Sequence, residues 1–169
     1  MKRVVITGMA QISPLGTNVT KALSRLYELK NCILYLPELE EFTRLNTKLA
    51  APATDFETPA HFNRKVLRTM GRVGIFSVAS AEEALKDADL LYDEIIINGE
   101  TGVSYGSSSG SLESIIDFYS MMVDKEVRTV TSGSYVKMMP QTTAVNISLY
   151  FTFSRLYSSP DTIQTKFCS

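Results

Sequence analysis

The chain has 169 residues, with 17 Lys+Arg against 18 Asp+Glu, one His, two Cys and no Trp. That length suits one domain or part of a larger one, and the 44% of apolar residues is enough for a core and excludes general disorder. A formal charge of -1 gives no overall attraction to nucleic acid or an anionic membrane, and Cys32 and Cys168 are too few for a disulfide framework or a four-ligand zinc site.

Arg3 to Ile6 is rich in β-branched residues and reads as a buried strand, closed by the breakers Gly8, Pro14 and Gly16. The apolar run Val4–Ile6 is too short for the core of a signal peptide, and no run of about 20 apolar residues follows to span a bilayer. The expected place is therefore the reducing cytoplasm. Thr17 or Asn18 can cap the next helix, which carries Val19, Ala22, Leu23 and Leu26 at helical spacing. Residues 32–55 are weaker in pattern, with loops at Pro37 and Pro52 and a short strand near Leu49–Ala53.

Arg64 to Asp87 is the longest helical pattern, and its small residues Gly74, Ser77 and Ala81 indicate an internal helix packed closely on both sides. Thr101 to Tyr105 reads as a strand leading into a Gly/Ser turn at 106–110. A helix follows with Ser111 as cap and Leu112, Ile115, Ile116, Tyr119 and Val123 on one face. Near Pro140 another helix begins and runs to about Tyr150. Strands separated by helices indicate an α/β layered fold. Thr152 to Ser169 has no clean period.

Several groups of residues suggest chemistry. Gly106, Ser108 and Gly110 match the G-x-S-x-G nucleophile elbow, with Ser108 as nucleophile, but the hydrolase order needs a His downstream and His61 lies upstream. The same loop also reads as a Gly-rich turn without chemistry, or as an anion site at a helix start. The turn at 8–14 lacks the further glycines of a dinucleotide fingerprint. His61 has no Cys, Asp or Glu at ligand spacing and reads as solvent-facing or capping, and Cys32 as a buried thiol. Arg64, Lys65, Arg68 and Arg72 fall at offsets of three and four, on one helical stripe, with no acidic residue between 58 and 81. Such a stripe is either a solvated face or a docking site for an acidic partner. Residues 82–100 then hold seven acidic residues and one Lys, so the near-zero total conceals a polarised chain.

Four segments in order resemble the 3-oxoacyl-acyl carrier protein synthases, the elongating condensing enzymes. RVVITGMAQISPLG at 3–16 is similar to their opening. Arg64 to Arg72 with AEEALKDA at 81–88 resembles their basic helix and its "EAL-DAG" ending. Gly102-Val103 with Gly106 and Gly110 resembles their "GV-GSG-GG" strand and turn. MMPQTTAVN at 138–146 resembles the segment before their nucleophile.

The resemblance covers residues 1–151 and implies the N-terminal half of an α/β layered, thiolase-like fold. Residues 152–169 form a divergent tail. The family joins an acyl chain, held as a thioester on Cys, to malonyl-acyl carrier protein with loss of CO2 in fatty acid or polyketide-type synthesis. It implies an acyl carrier protein partner met by Lys65, Arg68 and Arg72, a homodimer in the full-length enzyme, and no metal or dissociable redox cofactor.

Three departures qualify this reading. The tail lacks the family's loop glycine and the Thr-Ala before its Cys, so the nucleophile is not assigned to Cys168. Gly71 stands where the family commonly has Asp. Of the two His and the Lys used in decarboxylation, which belong to the C-terminal half, none is matched. The chain by itself is therefore expected not to catalyse condensation. The two other readings are a non-catalytic carrier-binding module and a hydrolase fragment built on Ser108. An altered reading frame or truncation near residue 152 would give such a tail, and a "TACxSG" turn encoded in another frame just downstream would establish it.

Overall fold

The computed structural model describes residues 3–127, 130–153 and the backbone of 155–156. The chain divides into two compact units, one of residues 9–57 and one combining residues 1–8 with 58–169.

The smaller unit holds α1 (Val19–Tyr27), β1 (Leu34–Tyr35), a 3-10 turn (Pro37–Glu41) and β2 (Leu49–Ala50). Asn18 settles the choice of cap, its Oδ1 accepting the Lys21 N–H at 2.8 Å. Strands β1 and β2 pair antiparallel, Leu34 opposite Ala50 and Tyr35 opposite Leu49. Arg25 organises the rest, donating to the Pro14 carbonyl at 3.0 Å and to Asp55 at 3.2 Å, while Lys21 reaches the same carboxylate at 2.7 Å. The helical spacing expected of α1 is present, but only Ala22 of its apolar face is buried, and Leu23 and Leu26 are exposed.

The larger unit contains α2 (Arg64–Leu67), α3 (Arg72–Asp87), α4 (Glu94–Ile97), β3 (Gly102–Val103), α5 (Leu112–Asp124), α6 (Ser132–Met138), α7 (Thr142–Phe151) and β4 (Arg155–Leu156). Its centre is α3 against α7. Val78, Ala144, Ile147 and Val103 have no solvent exposure, and each of the larger side chains among them contributes about 1.5–3 kcal/mol by leaving water. Gly74 lets α3 approach the Asn146 amide closely, which bears out the small-residue pattern on that side of the helix. Phe62, Tyr150, Phe151 and Phe153 extend the core, with ring centroids 4.8–5.9 Å apart. Strand β3 pairs parallel with β4, Gly102 beside Arg155 and Val103 beside Leu156.

Three expectations are corrected and one helix is added. Arg3 to Ile6 forms no strand, and Val4, Val5 and Ile6 are 91%, 67% and 82% exposed. β-Branched composition favours extended backbone but supplies no partner for its N–H and C=O groups, and β3 pairs with β4 instead. The pattern at 64–87 is two helices, because residues 68–71 leave the helical path. The amphipathic face expected of α5 exists but is open, with Leu112, Ile116, Tyr119 and Val123 all more than half exposed. Helix α6 is not legible as a periodic segment; it is short and starts from a local device, Thr131 and Ser134 each accepting the other's backbone N–H.

The expected tail at 152–169 lies mostly outside the described residues. Thr152 itself ends α7 in the left-handed region, φ 60° and ψ 33°, with its N–H given to the Ser148 carbonyl. A β-branched residue there is strained by about 1–2 kcal/mol, and it occupies the place where the resemblance expects a glycine nearby. Thr152→Gly is therefore expected to stabilise the chain by about 1 kcal/mol, read as a higher urea midpoint at unchanged slope.

Candidate functional site

The basic residues converge on the break between α2 and α3. Asn63 starts α2, its Oδ1 accepting the N–H groups of Lys65 at 3.0 Å and Val66 at 3.1 Å. After Leu67 the chain turns. Met70 is pulled into the core, and the Thr69 hydroxyl donates to Asn146 Oδ1 at 3.2 Å. Asn146 is itself buried and gives its amide hydrogens to the Thr142 carbonyl at 2.7 Å and hydroxyl at 3.0 Å. The break is thereby fastened to α7.

Arg64, Lys65, Arg68 and Arg72 are all exposed, and none makes an ion pair among the described residues. They do not share a continuous helical stripe: Arg64 and Lys65 belong to α2, Arg68 to its C-terminal cap and Arg72 to the first turn of α3. The Arg72 guanidinium lies 4.8 Å from the centroid of the Phe76 ring, a cation–π contact that limits its freedom. The break keeps these cations within nine residues but fans them differently from the even stripe the spacing predicts.

Gly71, expected to mark a missing carboxylate, has a different meaning in three dimensions. A Cβ at Gly71 would overlap the Ser111 hydroxyl. That hydroxyl accepts the Val73 N–H at 3.4 Å, a long bond, and so a side chain from the start of α5 serves the first turn of α3. Ser111 makes no cap bond to its own helix. The end of α6 joins the same junction. Ser111 N–H donates to the Lys137 carbonyl at 2.8 Å and Gly110 N–H to the Met138 carbonyl at 3.1 Å. Gly110 is needed there because a Cβ would overlap residues 137–138.

Ser108 is not placed as a nucleophile. Strand β3 ends at Val103 and α5 begins at Leu112, so Ser108 sits in an extended loop rather than on a tight strand-to-helix turn. Its neighbour Ser107 donates to the Ser109 carbonyl, and the only His in the chain is occupied elsewhere. His61 Nε2 lies 2.8 Å from Glu82 Oε2 while half of its side chain stays exposed, so the residue is solvent-facing as expected but has an acidic partner that the spacing does not show. Lys86 holds the other oxygen of Glu82 at 2.8 Å and reaches Glu83 at 2.8 Å. Burial raises the Glu82 carboxyl pKa, but hydrogen bonds from Lys86 and His61 outweigh burial and hold it below the usual range. The same contacts raise Lys86, and burial together with the Glu82 charge raises the Tyr150 phenol. Twenty-one residues separate His61 from Glu82, so linear spacing hid the pair. The usable signal was an acid at the i+4 position from Val78, on the buried face of α3.

Cys32 is half-buried, its sulfur 3.9 Å from Arg25 Nη1, and Cys168 lies outside the described residues. Among the described residues no three His, Cys, Asp or Glu side chains gather as metal ligands, and no helix is long and apolar enough to cross a membrane.

Residues 1–165 match the family profile described as the beta-ketoacyl synthase N-terminal domain. A curated relative, 3-oxoacyl-[acyl-carrier-protein] synthase 1 of Buchnera aphidicola subsp. Baizongia pistaciae (strain Bp), is 31% identical over 152 residues, covering 89% of this chain and 37% of the relative. The crystal structure of a beta-ketoacyl synthase from Burkholderia phymatum STM815 is similar at 44% identity and a TM-score of 0.86, over 92% of this chain and 38% of that one. A type II polyketide ketosynthase, solved in complex with its acyl-carrier protein, shares the fold at 19% identity and a TM-score of 0.74, over 95% of this chain and 42% of that one. The chain thus spans little more than a third of the length of the curated relatives it matches.

The Glu82 cluster gives a pH signature. A carboxyl lowered in the folded state stabilises above its unfolded value, about 4.3, and that stability is lost as pH falls through the folded value. Glu82→Gln should cost about 1–3 kcal/mol at pH 7, because Lys86 and His61 lose the negative charge and one of the two acceptor oxygens they share. Denaturant melts of both proteins from pH 7 to pH 3 should show that difference shrinking below about pH 4.

Proposed function

Because the chain belongs to the beta-ketoacyl synthase family, as its N-terminal domain, we propose that it contributes the carrier-facing part of a 3-oxoacyl-[acyl-carrier-protein] synthase. The fold is thiolase-like, as in the ketosynthase structures it resembles. In this reading the full enzyme moves an acyl chain from a Cys thioester onto malonyl-acyl carrier protein, a carbon–carbon bond forming as CO2 leaves. The setting is fatty acid or polyketide-type synthesis in the cytoplasm. In this reading residues 1–151 are the domain proper and 152–169 a divergent tail, although the family profile runs on to residue 165.

The observation that carries the partner assignment is the set of exposed, unpaired cations at the α2–α3 break. An acidic carrier protein is matched by Lys65, Arg68 and Arg72, which would steer its approach and set its register. Arg72 is pre-positioned by Phe76, so less side-chain entropy is lost when it pairs.

The chain alone is proposed not to condense. Its single His is tied to Glu82, and no thiol among the described residues stands beside a base. A second copy of the full-length enzyme is the proposed cover for the open apolar face of α5, where Ile116, Tyr119 and Val123 stand.

Titration of a purified acidic acyl carrier protein into the chain tests the docking reading. Lys65→Glu with Arg68→Glu should weaken binding at least tenfold, and raising salt to about 0.5 M should weaken the parent likewise. Unchanged affinity in the double variant would refute it.

A further inference from the structure

We propose that Lys137 is a further docking cation for the acidic carrier protein, rooted against Gly71 in the break that carries Arg68 and Arg72 although it lies some 65 residues away in the chain; the proposal rests on the carrier-docking reading given above. Lys137 ends α6 as the basic residue of its last turn. Its carbonyl receives the Ser111 N–H at 2.8 Å, and the adjacent Met138 carbonyl receives Gly110. Ser111 in turn serves the Val73 N–H at the start of α3. A Cβ on Gly71 would stand 3.7 Å from the Lys137 Cβ, so the side chain of Lys137 starts out against the α2–α3 break.

Two features suit Lys137 to binding rather than to internal pairing. It is half-exposed and has no ion pair among the described residues. Its backbone is fixed by the Gly110–Ser111 bonds, so only the side chain has to be ordered when a partner arrives. Five cations then border one short break, and no acidic residue occupies positions 58–81 to neutralise them. A partner presenting only one or two carboxylates would leave most of this charge unused. The arrangement fits an acidic protein surface that meets two elements at once, α6 on one side and the α2–α3 segment on the other.

The test uses the whole 169-residue chain and a purified acidic acyl carrier protein, with affinity measured by calorimetry at low ionic strength. Lys137→Met keeps the stem and removes the charge, and it should weaken binding roughly two- to five-fold. Lys137→Glu should weaken it by about tenfold and Lys137→Arg should stay near the parent. The Lys137→Met loss should vanish at about 0.5 M salt, because exposed charges are screened there. Circular dichroism melts identify any variant that fails to fold; Lys137→Met, the mildest change, is then the deciding variant. If Lys65→Glu and Arg68→Glu weaken binding while both Lys137→Met and Lys137→Glu leave it unchanged, Lys137 is not a docking residue and the carrier reading stands. If none of these changes alters affinity, the carrier reading falls and takes this inference with it.

Discussion

The amide of Asn146, buried on α7, gives its hydrogens to Thr142 and accepts the Thr69 hydroxyl, and the path of the chain between α2 and α3 depends on that placement. An amide shut away from water must find its partners inside, and their loss would cost about 1–3 kcal/mol. Satisfying it draws residues 69–70 toward α7 and buries Met70, while Gly74 leaves room for the two helices to close. The cations on either side of the break are then pushed outward. A buried polar contact of this kind decides where the charged surface lies.

The junction of Gly71, Gly110, Ser111 and Lys137 complements it from the opposite side. Two glycines permit three backbones to meet, and one serine hydroxyl supplies a helix start that has no cap side chain of its own. The carboxylate missing at position 71 is therefore no simple defect. A larger residue there would displace Ser111 and disturb the seat of α6.

Much of this was legible from residues alone, and the failures have identifiable causes. The helices at 19–27, 72–87, 112–124 and 142–151 follow from periodicity, with a capping side chain borne out only at Asn18, and the family follows from four ordered segments. Arg3 to Ile6 misled because strand composition says nothing about whether a neighbour is present. The continuous basic stripe misled because Val66, Met70 and Val73 keep helical spacing in the sequence across residues 68–71, where the helix itself is interrupted. His61 with Glu82, Gly71 with Ser111 and Lys137 with the break are contacts between distant segments, and no local window contains them. The Ser108 motif failed for the opposite reason, being a correct short pattern without the strand-to-helix turn that gives it meaning.

Arg72 opens α3, a helix of sixteen residues whose first turn carries no acidic side chain. The aligned peptide dipoles leave about half a positive charge at that end, and Arg72 adds a full one to it. Like charges are thus stacked at a point where helices ordinarily gather carboxylates. The helix start is slightly destabilised in the free protein, and the repulsion is relieved when an anion approaches. Occupancy of this surface and firmness of the first turn of α3 are for that reason linked quantities: a ligand there acts as an external cap, and the fold would be tighter when engaged than when alone.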